Sequence, residues 1–453
     1  MTKYLGVDGY GEVVAVIIAT QILQVLVGWS SAALARYGIE EFVESGSINK
    51  CFWARAVILV PSVVLLLLLS FAWLPLLSRW LKLPQDVAWL LIAYFVAAAV
   101  WLHFQNALVG AKMPLVQGAL LAIERAAIFA ILLLLVFTET LDTRAALIAY
   151  IIPALAMAVS AVFFLRQVIS WRIEIDREWL RRTVTFSLPL IPAFLAINLS
   201  TNYIDAVFIS QYLSHAALGV YSIAYQFNGM LLQFSVLAGS LLLPLFVTLD
   251  AQKDTAKVRI FMEDILPILA ISVGIGLMVI VLITGAVIPF FFGDASYEIV
   301  SILIILSLST AFAAPFMLGY FPYLNFRSAT YVWTAHAVTT ATVNIAVDAL
   351  LIPRYGLVGA AWASVAAQGL ALMVVMIFIH RKFSLKHKWT IPALIPVSGG
   401  IVYATVYGNL VIGLFVALAL AALVLFIFRK SFIPSLSLLI GFRQVLFPRT
   451  SEK

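Results

Sequence analysis

Residues 186–227, FSLPLIPAFLAINLSTNYIDAVFISQYLSHAALGVYSIAYQF, decide the fold. They form two apolar segments of helix length, joined by a short polar turn at 210–215. The first segment carries four polar residues at spacings that place them on one face of a helix: Asn198, Thr201, Asn202 and Asp205. An ionisable side chain inside a bilayer is costly, so this row should face protein or a water-filled cavity. Asn198, Asn202 and Asp205 are therefore candidates for substrate binding, and Asp205 is also a candidate for ion coupling. The alternative is a polar contact that holds helices together.

The composition places the whole chain in a membrane. Of its 453 residues, 64% are hydrophobic and only 11% are charged, whereas soluble domains carry about a quarter charged residues. A soluble fold is thereby excluded, and an all-α integral membrane protein is predicted. The single cysteine, Cys51, excludes an intrachain disulfide and any CxxC metal site. No cofactor and no metal are expected.

Hydropathy divides the chain into about 13 spans, because a membrane helix needs about 20 mostly apolar residues. Most of the connecting loops are short, and none could hold a separate domain. The predicted spans are 12–35, 53–77, 87–110, 115–137, 145–168, 186–210, 217–247, 263–292, 298–321, 331–352, 357–380, 390–408 and 411–428.

The longest loop, QVISWRIEIDREWLRRTVT, mixes aromatic with charged residues about two-fifths of the way along the chain. We interpret it as a cytoplasmic interfacial linker, and it sets the predicted domains. These are an N-terminal lobe at 1–168, the linker at 169–185, a C-terminal lobe at 186–380, and two extra helices with a cytoplasmic tail at 381–453.

The basic residues predict the orientation. Most of the 28 Lys and Arg residues fall in one set of alternate loops, and such loops lie in the cytoplasm. The net charge of +7 is therefore an orientation signal, and nucleic acid is not an expected partner.

A weak internal repeat relates the two predicted lobes. Its second copy follows a full predicted span, 186–210, whereas no span precedes its first copy. We therefore expect that the first helix of the pattern is missing from the N-terminal lobe. The matching residues, at a constant offset of 208, are Tyr4, Leu5, Gly11 and Leu23 in the first copy and Tyr212, Leu213, Gly219 and Leu231 in the second.

Three stretches resemble the Wzx-type polysaccharide (O-antigen) flippases of the MATE-like multidrug/oligosaccharide-lipid/polysaccharide exporter superfamily. They are YLGVDGYGEVVAVIIATQILQVLVGWSSAALARYG at 4–38, IDAVFISQYLSHAALGVYSIAYQF at 204–227, and LIPRYGLVGAAWASVAAQ at 351–368. The three occur in the order and membrane register of that family. This chain departs from the family at the absent first helix, which would remove one wall of the first lobe's cavity.

The resemblance implies a two-lobed, MATE-like helical bundle in the inner (plasma) membrane. It implies that the cargo is an oligosaccharide on undecaprenyl diphosphate, which alternating access carries from the inner to the outer leaflet. The transported sugar would serve the synthesis of O-antigen, lipopolysaccharide or another surface polysaccharide. A polar cavity would let the sugar head cross a hydrocarbon core of about 30 Å while the lipid tail stays in the bilayer. Partners would be the bilayer, H⁺ or Na⁺ as coupling ion, and polysaccharide polymerase machinery.

Glu124 and Arg125 lie near the middle of the predicted span 115–137. Neighbours in a helix point about 100° apart, so the two cannot easily pair with each other. Arg125 could bind the diphosphate, because a guanidinium matches phosphate oxygens in bidentate fashion. Glu124 is a candidate for cargo binding or ion coupling. The alternative for both residues is a salt bridge to another helix.

Further polar residues have weaker signals. Asp348, four residues after Asn344, is a candidate ion-coupling site or an interfacial carboxylate. Amides could bind sugar hydroxyls, although amides in membrane helices usually make packing contacts worth about 0.6 to 2 kcal/mol. Two arginines at the cytoplasmic ends of the predicted cavity could recruit an anionic head group of the cargo. The excess of basic residues on the cytoplasmic side explains their position equally well. These candidates are Gln21, Gln24, Gln226, Arg36 and Arg327.

Three other functions compete with the flippase. A cation-coupled multidrug exporter of the same superfamily needs an acidic site deep in the first lobe, where Glu124 is the only candidate. A membrane polysaccharide polymerase or ligase needs a large outer loop, which this chain lacks. A relic without transport activity would follow from the missing helix. No HExxH, GxSxG or GxxxxGK[ST] motif occurs, so an enzyme is not predicted.

Overall fold

A computed structural model describes residues 2–170, 172–188, 191, 204–240, 255–327, 329–387 and 389–430. Helices form these described ranges without any β-strand, as expected where no water can satisfy backbone groups. In chain order they are α1 Thr2–Gly28, α2 Ser31–Ser45, α3 Asn49–Leu68, α4 Ser70–Trp80, α5 Gln85–Gly110, α6 Pro114–Phe137, α7 Thr143–Leu165, α8 Arg177–Ser187, α9 Ile204–Tyr212, α10 His215–Ser240, α11 Thr255–Ile260, α12 Leu266–Phe292, α13 Ser296–Pro315, α14 Phe321–Phe326, α15 Thr330–Phe383, α16 Ile395–Tyr407 and α17 Leu410–Ile427.

Eight helical stretches among the described residues are long and apolar enough to cross a membrane. Two of the eight, Ala256–Leu324 and Tyr331–Phe383, are each longer than a pair of spans. Each contains a glycine in the left-handed region, Gly293 with φ +54° and Gly356 with φ +59°. These two glycines fall between the predicted spans 263–292 and 298–321 and between 331–352 and 357–380. The all-α, multi-span prediction is confirmed.

The first predicted span, 12–35, is wrong in its boundaries. The helical stretch runs from Thr2 to Gly28 with a break at Gly6, where φ is +72°, and residues 31–45 form the separate helix α2. The chain breaks at this point where the Ser31 hydroxyl donates to the Gly28 carbonyl at 2.6 Å. A hydropathy window of about 20 residues averages over this break, because the glycine and two serines at 28–31 interrupt the apolar run only briefly.

The N-terminus of α3 is held by a buried carboxylate that the sequence did not single out. Glu41 of α2 accepts the backbone N–H groups of Lys50 at 2.9 Å and Cys51 at 2.8 Å. These are donors that a helix leaves unsatisfied at its start. Burial raises the pKa of the Glu41 carboxyl, and the two N–H donors act in the opposite direction.

The chain divides into two compact units, Met1–Gly219 and Val220–Lys453. A cluster in the first unit includes Leu34, Phe52, Trp101 and Leu165, together with Trp179 from the linker helix α8. A cluster in the second unit includes Phe316, Tyr320 and Val375. The linker at 169–185 is thus packed into the first unit, and the predicted domain boundaries stay a prediction.

The two copies of the internal repeat contact each other reciprocally. A Cβ on Gly11 would lie 1.9 Å from the backbone oxygen of His215, and a Cβ on Gly219 would lie 2.5 Å from the backbone oxygen of Val7. The offset of 208 that relates Gly11 to Gly219 also relates Val7 to His215. Glycine at both positions lets the start of α10 touch the backbone of α1 directly.

Three residues of the polar row at 198–205 lie outside the described residues: Asn198, Thr201 and Asn202. The tail at 431–453 lies outside them as well. Asp205 is described, in the first turn of α9, and is buried.

Candidate functional site

The structure separates Glu124 from Arg125. Glu124 points into the first unit, where it is buried and accepts the indole N–H of Trp101 at 3.1 Å. Arg125 lies on the exposed side of α6 and makes no hydrogen bond or ion pair with the residues that the structure describes. The two side chains therefore play different parts, one as a packed acceptor and the other as an accessible cation. Within the described ranges, the salt-bridge alternative is not seen for either residue.

A second arginine, Arg55, is fully buried, and the sequence analysis missed it. Its Nη1 donates to Nδ1 of His103, while its Nε and Nη2 have no hydrogen-bond partner in the described part of the chain. Because arginine keeps its proton, His103 must accept at Nδ1 and carry its own proton on Nε2. Arg55 lies inside the predicted span 53–77. The long uncharged run that follows it, 56–78, could have singled it out as a charge within the membrane.

Four buried polar residues lie at spacings of four along α15. Asn344 donates its amide N–H to Oδ2 of Asp348 at 2.7 Å, and the Thr340 hydroxyl donates to the His336 carbonyl at 2.9 Å. The imidazole of His336 stacks on the ring of Phe316 with centroids 3.8 Å apart. Asp348 is fully buried, so it is not an exposed interfacial carboxylate. A buried acid with an amide beside it matches the chemistry of a proton or sodium site.

The amide candidates differ in their surroundings. Gln21 and Gln24 are half-buried on α1, whereas Gln226 is exposed on α10. Asn228, two residues further on, is buried and accepts the Thr310 hydroxyl at 2.6 Å. That contact joins α10 to α13 inside the second unit, so Asn228 serves packing.

The two arginines predicted at cytoplasmic mouths are both exposed and both lie over aromatic rings. Cζ of Arg36 is 4.8 Å from the ring centroid of Phe186, and Cζ of Arg327 is 5.2 Å from that of Phe383. Such stacking holds the Arg36 guanidinium in place while its N–H groups remain available to other acceptors.

With this geometry established, comparison with known proteins identifies the family. The pattern of a family described as "Polysaccharide biosynthesis protein" matches residues 1–250, more than half of the chain. The chain belongs to this polysaccharide biosynthesis protein family. A search of curated protein sequences found no match.

Two solved structures share the fold of this chain. The lipid II flippase MurJ in an inward closed conformation is 13% identical, with a TM-score of 0.71 and 94% of each chain covered. An inward-facing MATE multidrug resistance transporter is 14% identical, with a TM-score of 0.57, and covers 83% of this chain and 93% of its own. At these identities the likeness shows the fold, and it confirms the MATE-like architecture expected from the sequence.

Proposed function

We propose that this polysaccharide biosynthesis family member moves an oligosaccharide, linked to undecaprenyl diphosphate, from the inner to the outer leaflet of the plasma membrane. The family match over residues 1–250 carries the proposal. It is supported by a fold shared along 94% of the chain with a protein named as a lipid II flippase. The cargo would feed O-antigen or other surface polysaccharide assembly, with polymerase machinery downstream.

Arg125 is the residue we assign to the diphosphate. It lies midway along α6, on the exposed side, and has no acidic partner among the described residues. A guanidinium facing hydrocarbon at this depth would be costly, so this side of α6 is expected to border a water-filled cavity. A passing diphosphate would supply the counter-charge there and bind in bidentate fashion.

Leaflet-resolved measurement of lipid-linked oligosaccharide tests the proposed function. Deleting the gene is expected to trap the oligosaccharide in the inner leaflet, and restoring the full chain is expected to release it. The readout is the fraction of lipid-linked sugar that an externally added glycosidase can reach in intact spheroplasts. An unchanged accessible fraction after deletion would refute the flippase.

A cation-coupled drug exporter is the second candidate, favoured by the fold shared with a multidrug resistance MATE transporter. In that case deletion would leave the leaflet distribution unchanged and would sensitise cells to cationic dyes. The same deletion strain therefore separates the two functions.

For either cargo we propose that Asp348 and Asn344 bind the coupling ion, H⁺ or Na⁺. Replacing Asp348 by Asn is expected to remove the dependence of transport on the ion gradient, because the buried negative charge is lost. Stimulation of transport by the imposed gradient should be about 5- to 150-fold in the wild type, the usual range of coupling between two ligands, and absent in the variant. Transport into liposomes, with and without an imposed gradient, measures it.

Asp294→Asn is the matched control, since Asp294 is an exposed carboxylate in the short turn at Gly293–Ala295. A full response to the gradient in the Asp348→Asn protein would rule out this ion site.

A further inference from the structure

The first unit carries a polar hollow on its linker helix. Its volume is about 400 Å³, and it is lined by Tyr37, Glu178, Arg181, Arg182, Thr185 and Phe186. Pockets that hold small molecules usually measure about 300–1,000 Å³, so the hollow has room for a diphosphate and an attached sugar. The hollow lies at the predicted cytoplasmic surface, because α8 belongs to the charged linker.

The walls of the hollow are fixed by packing. The Asp176 carboxylate accepts the N–H groups of Glu178 at 2.9 Å and Trp179 at 3.3 Å, which caps α8. Trp179 is then buried against the first unit. The ring of Tyr37 meets the ring of Phe186 edge-on with centroids 5.4 Å apart. The α8 backbone and the aromatic part of the wall are thus held in place, which reduces the conformational entropy that binding would cost.

The charges in the hollow do not balance. Arg182 is neutralised, because its Nη1 lies 3.2 Å from Glu40 Oε1 and its Nη2 lies 3.2 Å from Glu178 Oε1. Arg181 and Arg36 have no acidic partner in the described ranges, and Arg36 stacks on the Phe186 ring that lines the hollow. The three arginines thus outnumber the two glutamates, and two of the guanidinium groups have no acidic partner in the described ranges. This favours an anionic ligand, and the planar N–H pairs of these two groups suit phosphate oxygens.

We propose that this hollow is a loading site that binds the diphosphate and first sugar of the lipid-linked cargo at the membrane surface before translocation. Arg181 and Arg36 contact the phosphates, and the Thr185 hydroxyl and the Tyr37 ring face the sugar. The proposal rests on the proposed function and extends it, because Arg125 binds the same diphosphate later, within the membrane. A diphosphate is favoured over a phospholipid phosphate because two cations await a partner and the hollow exceeds one phosphate in size.

Binding of undecaprenyl diphosphate to the full chain in nanodiscs tests the loading site. Arg181→Gln is expected to weaken binding by about 10- to 100-fold, since a hydrogen bond to a charged group contributes about 1.5–3 kcal/mol. Arg36→Gln should weaken it to a similar degree. The matched control is Arg177→Gln, because Arg177 is exposed on the same helix without lining the hollow, and its binding should stay within about twofold of wild type, the size of a small surface effect.

Each other outcome overturns the loading site. Equal weakening by Arg177→Gln would mean diffuse attraction to a basic surface. Displacement of the diphosphate by phosphatidylglycerol at equal concentration would mean a site for phospholipid headgroups. If the Arg181 and Arg36 variants bind normally while the deletion strain traps its cargo, the loading site fails and the flippase stands. If the wild-type protein does not bind and deletion leaves the leaflets unchanged, the proposed function fails as well.

Discussion

A Gly11→Val variant is expected to be lost from the membrane or to unfold at far lower temperature than the wild-type protein. A Cβ at this position would lie 1.9 Å from the backbone oxygen of His215, and backbone cannot rotate away as a side chain can. The start of α10 would have to separate from α1. Overpacking in a well-packed core usually lowers the free energy of unfolding by about 1–3 kcal/mol and sometimes by more. We expect Gly11→Val to lower it by about 3 kcal/mol or more.

Gly219 offers an internal repetition of the experiment, and Gly118 offers a control. Gly219→Val should destabilise for the same reason, since its Cβ would lie 2.5 Å from the Val7 oxygen. Nothing lies within 4 Å of a Cβ on Gly118 of α6, so Gly118→Ala should be neutral or stabilise by up to about 1 kcal/mol through helix propensity. Thermal unfolding in detergent measures all three. A Gly11→Val protein with the melting temperature of wild type would disprove the backbone contact.

Replacing Arg125 by Ala is expected to reduce transfer of the lipid-linked oligosaccharide by about 10- to 100-fold, because a charge-assisted hydrogen bond to phosphate is worth about 1.5–3 kcal/mol. Arg125→Lys should recover part of the activity, since lysine keeps the charge and loses the bidentate geometry. Stability should change little, as Arg125 makes no hydrogen bond or ion pair with the described residues. The measurement is the glycosidase-accessible fraction of cargo in the complemented deletion strain.

Arg166→Ala is the comparison for Arg125→Ala. Arg166 is also exposed in the first unit, at the end of α7 and over the ring of Phe163, and it lies at the predicted cytoplasmic surface. Its replacement should leave transfer unchanged. Equal activity of the Arg125→Ala protein and the wild type would remove Arg125 from the cargo path. The proposed function would then rest on the family match and the shared fold.

The sequence determined the helices, their approximate ends and the family. The helices could be predicted because each one depends on the composition of its own segment. A bilayer forces each apolar segment to satisfy its own backbone groups, so hydropathy and helix coincide. The predicted spans 115–137 and 411–428 accordingly appear as Pro114–Phe137 and Leu410–Ile427. The break after Gly28 is not predicted by hydropathy, because the small and polar residues at 28–31 are too few to lower the average over a span.

Only the tertiary structure decided what each polar side chain meets. Helical periodicity predicts that Glu124 and Arg125 point in different directions, but it does not say which of them is buried. In the fold Glu124 is buried against Trp101 of α5, and Arg125 is exposed. In the same way, the sequence places Arg55 inside the predicted span 53–77 without naming a partner, and the fold pairs it with His103. These contacts join residues far apart in the chain, and the side of a helix that packs is set by its neighbours in space. The sequence supplied the polar residues, and packing chose which of them could bind a ligand.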